Sequence, residues 1–392
     1  MSSPRSAIGS NRMTRRAVQA WYQVHKWSSL VCTAFLLLLC VTGLPLIFAE
    51  EIGHLTGAEP ELAPPPVDAA PVNLDTLIEK AKARYPGEQP LFLGWYPDHP
   101  IVYVNLGPTA DTPPPGMHTA LFDAYTGAAV EAPQFNEGIM FFITRLHTDL
   151  FAGLPGKLFL GVMGALFAVT VISGVVLYRP FMRKLAFGTV RRQGSIRLKW
   201  LDLHNLLGIV TTAWLLVVGL TGVINTLDKP LYQQWQRSQL AELTSDWAGR
   251  PKPPRLGSIE QAVTVARKTR PDLKPAFVSY PGTGYSGDHH YGVFMKGSSA
   301  IAQRNYQPVL IDAATSRLTG VPEWPATLSA MYLSQPLHFG DYAGLPLKIV
   351  WALLDVVAIV VLASGLYLWL SRRGMPFSQR LTEMAEKEGL RA

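Results

Sequence analysis

Two histidines, His25 and His204, each open a long uncharged apolar run, and imidazole is a side chain that readily binds metals. In both runs a Thr-Gly pair follows, so that Gly43 and Gly222 lie 18 residues after their histidines. This spacing corresponds to about five helical turns, which puts histidine and glycine on one helix face. It also spans about 27 Å, close to the thickness of a bilayer core. The pattern predicts helices with a histidine at one membrane surface and, near the other surface, a glycine that leaves space beside the helix.

A second pair, His147 and His338, has the opposite order. Each precedes an Ala-Gly-Leu-Pro motif, whose glycine lies 6 residues after the histidine, and then a Ser-Gly pair. The glycines of the Ser-Gly pairs, Gly174 and Gly365, lie 27 residues after their histidines. Because recurring spacings are the signature of internal repeats, these matches predict that the chain is a tandem duplication.

Composition places the chain in a membrane. Of its 392 residues 48% are hydrophobic and only 16% are charged, against about 25% charged in ordinary soluble domains. The net charge of +7 follows from basic residues next to membrane spans, so we expect the lipid bilayer as a partner and no nucleic acid. Four windows are long and apolar enough to cross a bilayer, at about 28–48, 157–178, 206–227 and 347–370.

Basic residues concentrate in three segments, which are the N-terminus, the loop at 179–200 and the C-terminal tail. The positive-inside rule places these segments and both termini in the cytoplasm, and the two long remaining segments in the periplasm if the source is a bacterium. We therefore expect a multi-pass protein of the bacterial inner membrane. Its predicted parts are the N-terminus with the first span (1–48), a first outer domain (49–146), a second span (147–178), a cytoplasmic loop (179–205), a third span (206–227), a second outer domain (228–346), a fourth span (347–370) and a cytoplasmic tail (371–392).

Each outer segment has the pattern of a small α+β domain. A helix at 74–85 is followed by strands at 91–96, 101–106 and 119–124, and the same order recurs with a helix near 258–269 and strands near 275–280, 291–296 and 307–312. The turn after the third strand ends in Gly127 in the first segment, whereas Ser316 stands there in the second. The predicted fold class is a membrane core of four transmembrane helices, in two pseudo-symmetric pairs, with two small α+β outer domains.

The predicted topology restricts how the histidines can pair. His25 and His204 both begin outward-going spans and lie at the cytoplasmic side, whereas His147 and His338 both precede inward-going spans and lie at the outer side. Imidazole is a common axial ligand of haem iron. Two bis-histidine sites are therefore expected, His25/His204 and His147/His338, and together they would carry electrons through the bilayer. A polar residue at the membrane interface is the alternative interpretation of any single histidine.

Small residues and one arginine complete the candidate cofactor sites. Gly43 and Gly222 should lie near the outer pair, and Gly174 and Gly365 near the inner pair. A missing side chain would let a flat macrocycle approach the backbone, but tight helix packing in membranes favours the same residues. Arg145 is a candidate partner for a haem propionate on the outer side, because the positive-inside rule does not account for it.

With these motifs the chain resembles the PepSY-associated transmembrane proteins, and among them the inner-membrane siderophore reductases of the FoxB type. The resemblance rests on the order of span, α+β domain and span, on the paired histidines and on the Ala-Gly-Leu-Pro motifs. It implies two b-type haems and PepSY-like outer domains. It also implies reduction of a ferric siderophore, of the hydroxamate type among others, at the periplasmic face. Since no CxxCH motif occurs, such haems would be held without covalent attachment.

The source of electrons is constrained by what the sequence lacks. No GxGxxG fingerprint follows a strand, and no cytoplasmic segment is large enough for a flavin or nicotinamide site. Electrons would therefore come from quinol or from another cytoplasmic or membrane protein. No side chain is predicted as catalytic. Asp355, the one acid within a span, could bond a haem ligand, relay a proton or be solvated near the outer end of its helix.

Two other functions also agree with parts of the sequence. A siderophore or metal permease predicts broken helices and polar residues at mid-membrane, and the spans offer few such residues beyond Asp355. A non-enzymatic membrane sensor or protease modulator would use the outer domains, but it leaves the four matched histidines unexplained. His289 and His290 could bind a metal or a ligand, although a solvated loop is the simpler expectation for them.

Overall fold

A computed structural model describes residues 13–58, 60, 62, 68–96, 99–182, 185–299 and 301–371. Most of the predicted cytoplasmic tail and the first twelve residues therefore lie outside the described residues. In the described part the α-helices are, in chain order, α1 (Arg15–Ile47), α2 (Ala49–Thr56), α3 (Leu74–Arg84), α4 (Gly138–Asp149), α5 (Gly153–Met182), α6 (Ile196–Asn225), α7 (Asp228–Trp235), α8 (Ala241–Leu243), α9 (Ile259–Thr269), α10 (Ala326–Phe339) and α11 (Leu345–Leu370).

The four predicted spans are confirmed as long apolar helices. Helices α1, α5, α6 and α11 are long and apolar enough to cross a membrane. Together they supply most of a compact membrane unit, which comprises residues 13–44, 159–223 and 349–371 of the described chain. The threonines of the two Thr-Gly pairs donate to carbonyls one turn back, Thr42 to Leu38 at 2.7 Å and Thr221 to Val217 at 2.6 Å. Their hydroxyls are thereby satisfied inside the helix, as an apolar solvent requires.

The remaining described residues, in the ranges 45–158 and 224–348, form a sheet unit. Its strands are β1 (Gln89–Trp95), β2 (Ile101–Gly107), β3 (His118–Asp123), β4 (Ala129–Val130), β5 (Lys274–Ser279), β6 (His290–Lys296), β7 (Gln307–Asp312) and β8 (Leu318–Gly320). They form one antiparallel sheet with the order β4-β3-β2-β1-β5-β6-β7-β8. The two α+β segments expected as separate domains thus share one sheet, because β1 pairs with β5 through Leu93 and Val278.

The helices of the two segments are also joined at their N-termini. The backbone N–H of Leu74 donates to Glu260 at 3.0 Å, and that of Ile259 donates to Asp75 at 2.8 Å. Each helix of the pair α3 and α9 therefore satisfies an orphan N–H group of the other, which is the role that capping side chains normally play within one helix. The apolar faces of both helices contribute to one core against the sheet.

The turn after the third strand has the same geometry in both segments despite the difference at its last position. Asp123 accepts from the backbone N–H of Thr126 at 2.8 Å, and Asp312 accepts from that of Thr315 at 2.8 Å. Gly127 has φ 65° and Ser316 has φ 55°, so both adopt the left-handed conformation. Serine is strained there, but the Ser316 hydroxyl donates to the carbonyl of Ser258 at 2.9 Å.

Candidate functional site

The inner candidate site lies in the membrane unit, where the structure brings His25 and His204 together. Their ring centroids are 6.4 Å apart and the ring planes differ by 74°. His25 is on α1 and His204 is on α6, and each side chain is half-buried. The two rings are therefore arranged edge to face and are not stacked.

The orientation of each inner ring is fixed by a second long helix, α5 for His25 and α11 for His204. The Nδ1 atom of His25 lies 2.9 Å from the carbonyl oxygen of Thr170 and 3.1 Å from the hydroxyl of Ser173. A carbonyl oxygen can only accept, so Nδ1 carries the proton and donates it to Thr170. In the neutral ring the Nε2 atom is then left with its lone pair, which is the form that ligates a metal.

His204 is held in the same way on the other side. Its Nδ1 atom lies 3.0 Å from the carbonyl oxygen of Val361 and 3.1 Å from the hydroxyl of Ser364. The serine is in both cases the first residue of the Ser-Gly pair, Ser173 on α5 and Ser364 on α11. Both inner histidines thus carry their proton on Nδ1, and in both a backbone carbonyl and a serine hydroxyl lie beside that atom.

The glycines of the Ser-Gly pairs have a different role from the one that the sequence suggests. A Cβ atom at Gly174 would lie 3.2 Å from Cε1 of His25, and one at Gly365 would lie 3.2 Å from Cε1 of His204. Real Cβ atoms rarely approach so closely. In the structure these glycines therefore give room to the imidazole rings, and their expected contact with a macrocycle stays a prediction.

The outer candidate site lies in the sheet unit, where His147 and His338 are neighbours. Their ring centroids are also 6.4 Å apart, with an angle of 59° between the planes. His147 lies in the last turn of α4 and His338 in the last turn of α10. Both helices end in a left-handed residue, Leu150 with φ 53° and Gly340 with φ 77°.

The Ala-Gly-Leu-Pro motifs lead from these helices into the next ones. Gly153 has φ 63° and Gly344 has φ 61°, a conformation that favours glycine over residues with a Cβ atom. Proline then falls at the second or third position of α5 and α11, where its missing N–H group costs nothing. The motif therefore provides the short link between each histidine-bearing helix and the next helix.

Arg145 lies two residues before His147 on α4 and forms an ion pair with Asp149 at 3.2 Å. Its Nε atom is buried and has no hydrogen-bond partner among the described residues. A buried N–H donor without an acceptor is costly. The guanidinium therefore retains donor capacity toward an anionic group, as a propionate partner needs.

The residues present fit a bis-histidine haem in both sites. Two metal–imidazole bonds of about 2 Å each and two ring half-widths of about 1 Å each require ring centres about 6 Å apart. Both pairs have a separation of 6.4 Å. Within the described residues no group of three or more His, Cys, Asp and Glu side chains could hold a metal ion. The histidine pairs are thus better suited to an iron that a macrocycle already ligates than to a bare ion.

Gly43 and Gly222 lie near the C-terminal ends of α1 and α6, in the membrane unit. His147 and His338 belong to the sheet unit. The expectation that these glycines adjoin the outer pair stays a prediction.

Asp355 and the paired histidines of the second outer segment differ from the simplest expectations. Asp355 is buried, with 7% of its surface exposed, and it contacts the Cys40 thiol. His290 is not on a solvated loop, because it begins strand β6 and is only 1% exposed. Its neighbour His289 lies close to the carbonyl oxygen of Arg250, at 3.2 Å.

Sequence reasoning missed Thr170, Val361 and the two serines as positioning residues. The serines are part of the Ser-Gly pairs, so the repeated pairs are a sequence signal that identifies their hydroxyls. Backbone carbonyls such as those of Thr170 and Val361 leave no signal in the residue type. Asp202 was also missed. It is fully buried two residues before His204 and accepts from Arg191 at 2.6 Å.

Comparison with known proteins agrees with this architecture. The family model described as PepSY-associated TM region matches residues 22–372. The chain is also similar to the uncharacterized protein PA4219 of Pseudomonas aeruginosa, with 29% identity over 259 residues. That match covers 59% of this chain and 63% of the relative, so the chain spans less than two thirds of the length of the relative. With four apolar helices and a family match across nearly all of its length, this multi-pass membrane protein belongs to the PepSY-associated TM family.

Proposed function

We propose that the chain is a di-haem b electron-transfer protein of the bacterial inner membrane. It reduces the iron(III) of a ferric siderophore to iron(II) at the periplasmic face and so releases the iron. The observation that carries this proposal is the repetition of one geometry. Two pairs of histidines, drawn from four different helices, each have ring centres 6.4 Å apart.

The inner haem would be held by His25 and His204. The hydrogen bonds from Nδ1 to the carbonyls of Thr170 and Val361 keep both Nε2 lone pairs directed away from those carbonyls and raise the basicity of the rings. Haem iron supplies one-electron transfer without proton transfer at the metal. The chain itself contributes the ligands, their tautomer and an apolar surrounding that lowers solvent access.

The outer haem would be held by His147 and His338, with Arg145 as the partner of a propionate. The predicted topology places this pair at the periplasmic side, where a ferric siderophore is present, and the inner pair at the cytoplasmic side. A bilayer core excludes both the charged chelate and soluble reductants, so two sites at different depths would let electrons cross it. The reductant is a quinol or a cytoplasmic or membrane protein.

The test is an optical spectrum of the purified full chain, together with its ratio of haem to protein. We expect a Soret band, sharp bands after reduction, and two haems per chain that acid-acetone extracts intact. Reduced protein mixed with a ferric hydroxamate should be reoxidised, and an iron(II) chelator should capture the product. A colourless protein after expression with sufficient haem supply would refute the proposal, and a ratio of one would remove one histidine pair from it.

A further inference from the structure

The membrane unit contains a buried carboxyl group with one oxygen that forms no hydrogen bond to the described residues. Asp355 on α11 has 7% of its surface exposed, and its Oδ2 atom has no hydrogen-bond partner among the described residues. The thiol of Cys40 on α1 contacts this carboxyl. An intramembrane carboxyl is costly and usually marks a functional site.

A second unsatisfied polar group belongs to the same region of the bundle. The Nε1 atom of Trp214 on α6 is buried and has no hydrogen-bond partner among the described residues. Trp214 packs in one cluster with Cys40, the residue that contacts Asp355. It also meets Trp351, one helical turn before Asp355 on α11, with ring centroids 6.4 Å apart. An acceptor and a donor are thus left without partners near one level of the membrane unit.

This region is close to the outside of the helix bundle. Val41 follows Cys40 and is 58% exposed, and Val356 follows Asp355 and is 48% exposed. Helix surfaces of this kind face hydrocarbon in a bilayer. The buried carboxyl and thiol therefore lie next to positions that face lipid, on helices α1 and α11. A ligand for them would have to come through the lipid phase rather than from water.

We propose that Asp355 and Trp214 bind the head group of a lipid-soluble quinol. A para-quinol is a flat ring with an oxygen at each end, so one hydroxyl can donate to Asp355 Oδ2 while the other oxygen accepts from Trp214 Nε1. The rings of Trp214, Trp351 and Phe167 supply the aromatic surface that such a head group packs against. The inference rests on the proposed function only in making this ligand the reductant of the chain.

The test measures binding without turnover. Full-length protein in detergent is reduced with dithionite under anaerobic conditions and dialysed to equilibrium against decylubiquinol, and the haem content of each sample is recorded. The native chain should bind the quinol saturably. Asp355→Leu should weaken binding at least tenfold, because it removes the acceptor and leaves the quinol hydroxyl without a partner, and Trp214→Phe should weaken it about three- to tenfold. Asp355→Asn, which retains an acceptor oxygen, should restore part of the affinity.

Trp200→Phe is the matched control, since it makes the same substitution on the same helix away from Asp355, and it should bind as the native chain does. Absence of saturable binding by the native chain overturns the inference. So does equal binding by all variants, or a loss in only one of Asp355→Leu and Trp214→Phe. Haem content separates the two proposals. Two haems without quinol binding refute the quinol site alone, whereas quinol binding by a protein without haem refutes the proposed function alone.

Discussion

The two histidine pairs have one separation but are positioned by different means. The rings of the inner pair, His25 and His204, are each anchored through Nδ1 to a carbonyl and a serine on another helix. The outer pair, His147 and His338, lies in the last turns of two short helices that end in left-handed residues. The inner geometry thus depends on packing between long helices, whereas the outer geometry depends on where short helices stop.

Removal of a histidine should separate the pairs most strongly. We expect His25→Ala or His204→Ala to lose the inner haem and His147→Ala or His338→Ala to lose the outer one, so that the haem-to-protein ratio falls from two to about one. Loss of an axial ligand acts on the iron directly, so the change should be nearly complete.

The matched control for these variants is His118→Ala. His118 is exposed and bound to Glu88 at 2.7 Å, and its removal should leave both haems in place. Reduction of the ferric substrate should require the outer haem. A chain that lacks only the inner haem should still reduce it when the outer haem is reduced artificially. Retention of two haems by His147→Ala would contradict the outer assignment.

Crowding of an inner ring should have the next largest effect. A methyl group at Gly174 would lie 3.2 Å from His25 Cε1, and His25 cannot retreat without stretching its bonds to Thr170 and Ser173. We expect Gly174→Ala or Gly365→Ala to release haem to an acceptor protein about tenfold faster, which corresponds to about 1.4 kcal/mol. Gly208→Ala on α6 has nothing within 4 Å of its Cβ position and should show no such change. If haem leaves faster from one of the two sites only, the effect belongs to the inner histidine pair.

The sequence was informative where a pattern is local and repeated. Apolar length defined the four spans, and equal offsets from histidine to glycine predicted the two histidine pairs that are neighbours in the structure. Both helix signals and six of the strand signals in the outer segments correspond to elements of the structure to within two residues at each end.

What the sequence did not reveal depends on partners far away in the chain. Nothing in β1 or β5 distinguishes a free edge from a paired one, so the joining of the two segments into one sheet could not be read from either strand. The left-handed φ of Ser316 was equally hidden, because serine carries no preference for it and its support comes from the carbonyl of Ser258. The Nδ1 acceptors of the inner histidines are backbone atoms, which any residue type provides.

Acid should lower the stability of the sheet unit, which contains the outer pair, through the buried residue His290. The membrane unit, which contains the inner pair, does not include this residue. Burial lowers the pKa of His290 to about 4, from an ordinary value of about 6.5. Between these values the unfolded chain binds more protons than the folded chain, so the stability that neutral His290 provides is present above pH 6.5 and is lost as the pH falls toward 4. Thermal unfolding of the full chain across this window should show a lower melting temperature at acid pH. The slope should be smaller in His290→Phe, and an unchanged slope would show that His290 does not titrate on unfolding.

The smallest expected effect distinguishes the two inner anchors from each other. Ser173→Ala and Ser364→Ala each remove one of the two oxygens near Nδ1, while the carbonyls of Thr170 and Val361 continue to accept its proton. One neutral hydrogen bond contributes about 1 kcal/mol, so haem release from the inner site should accelerate about fivefold and the tautomer should be retained. Thr170→Ala keeps the carbonyl and removes only a hydroxyl that donates to Ser28 at 2.8 Å, so it serves as the control and should change release less. If either serine variant lost the inner haem entirely, the hydroxyl rather than the carbonyl would be the group that orients the ring and selects its tautomer.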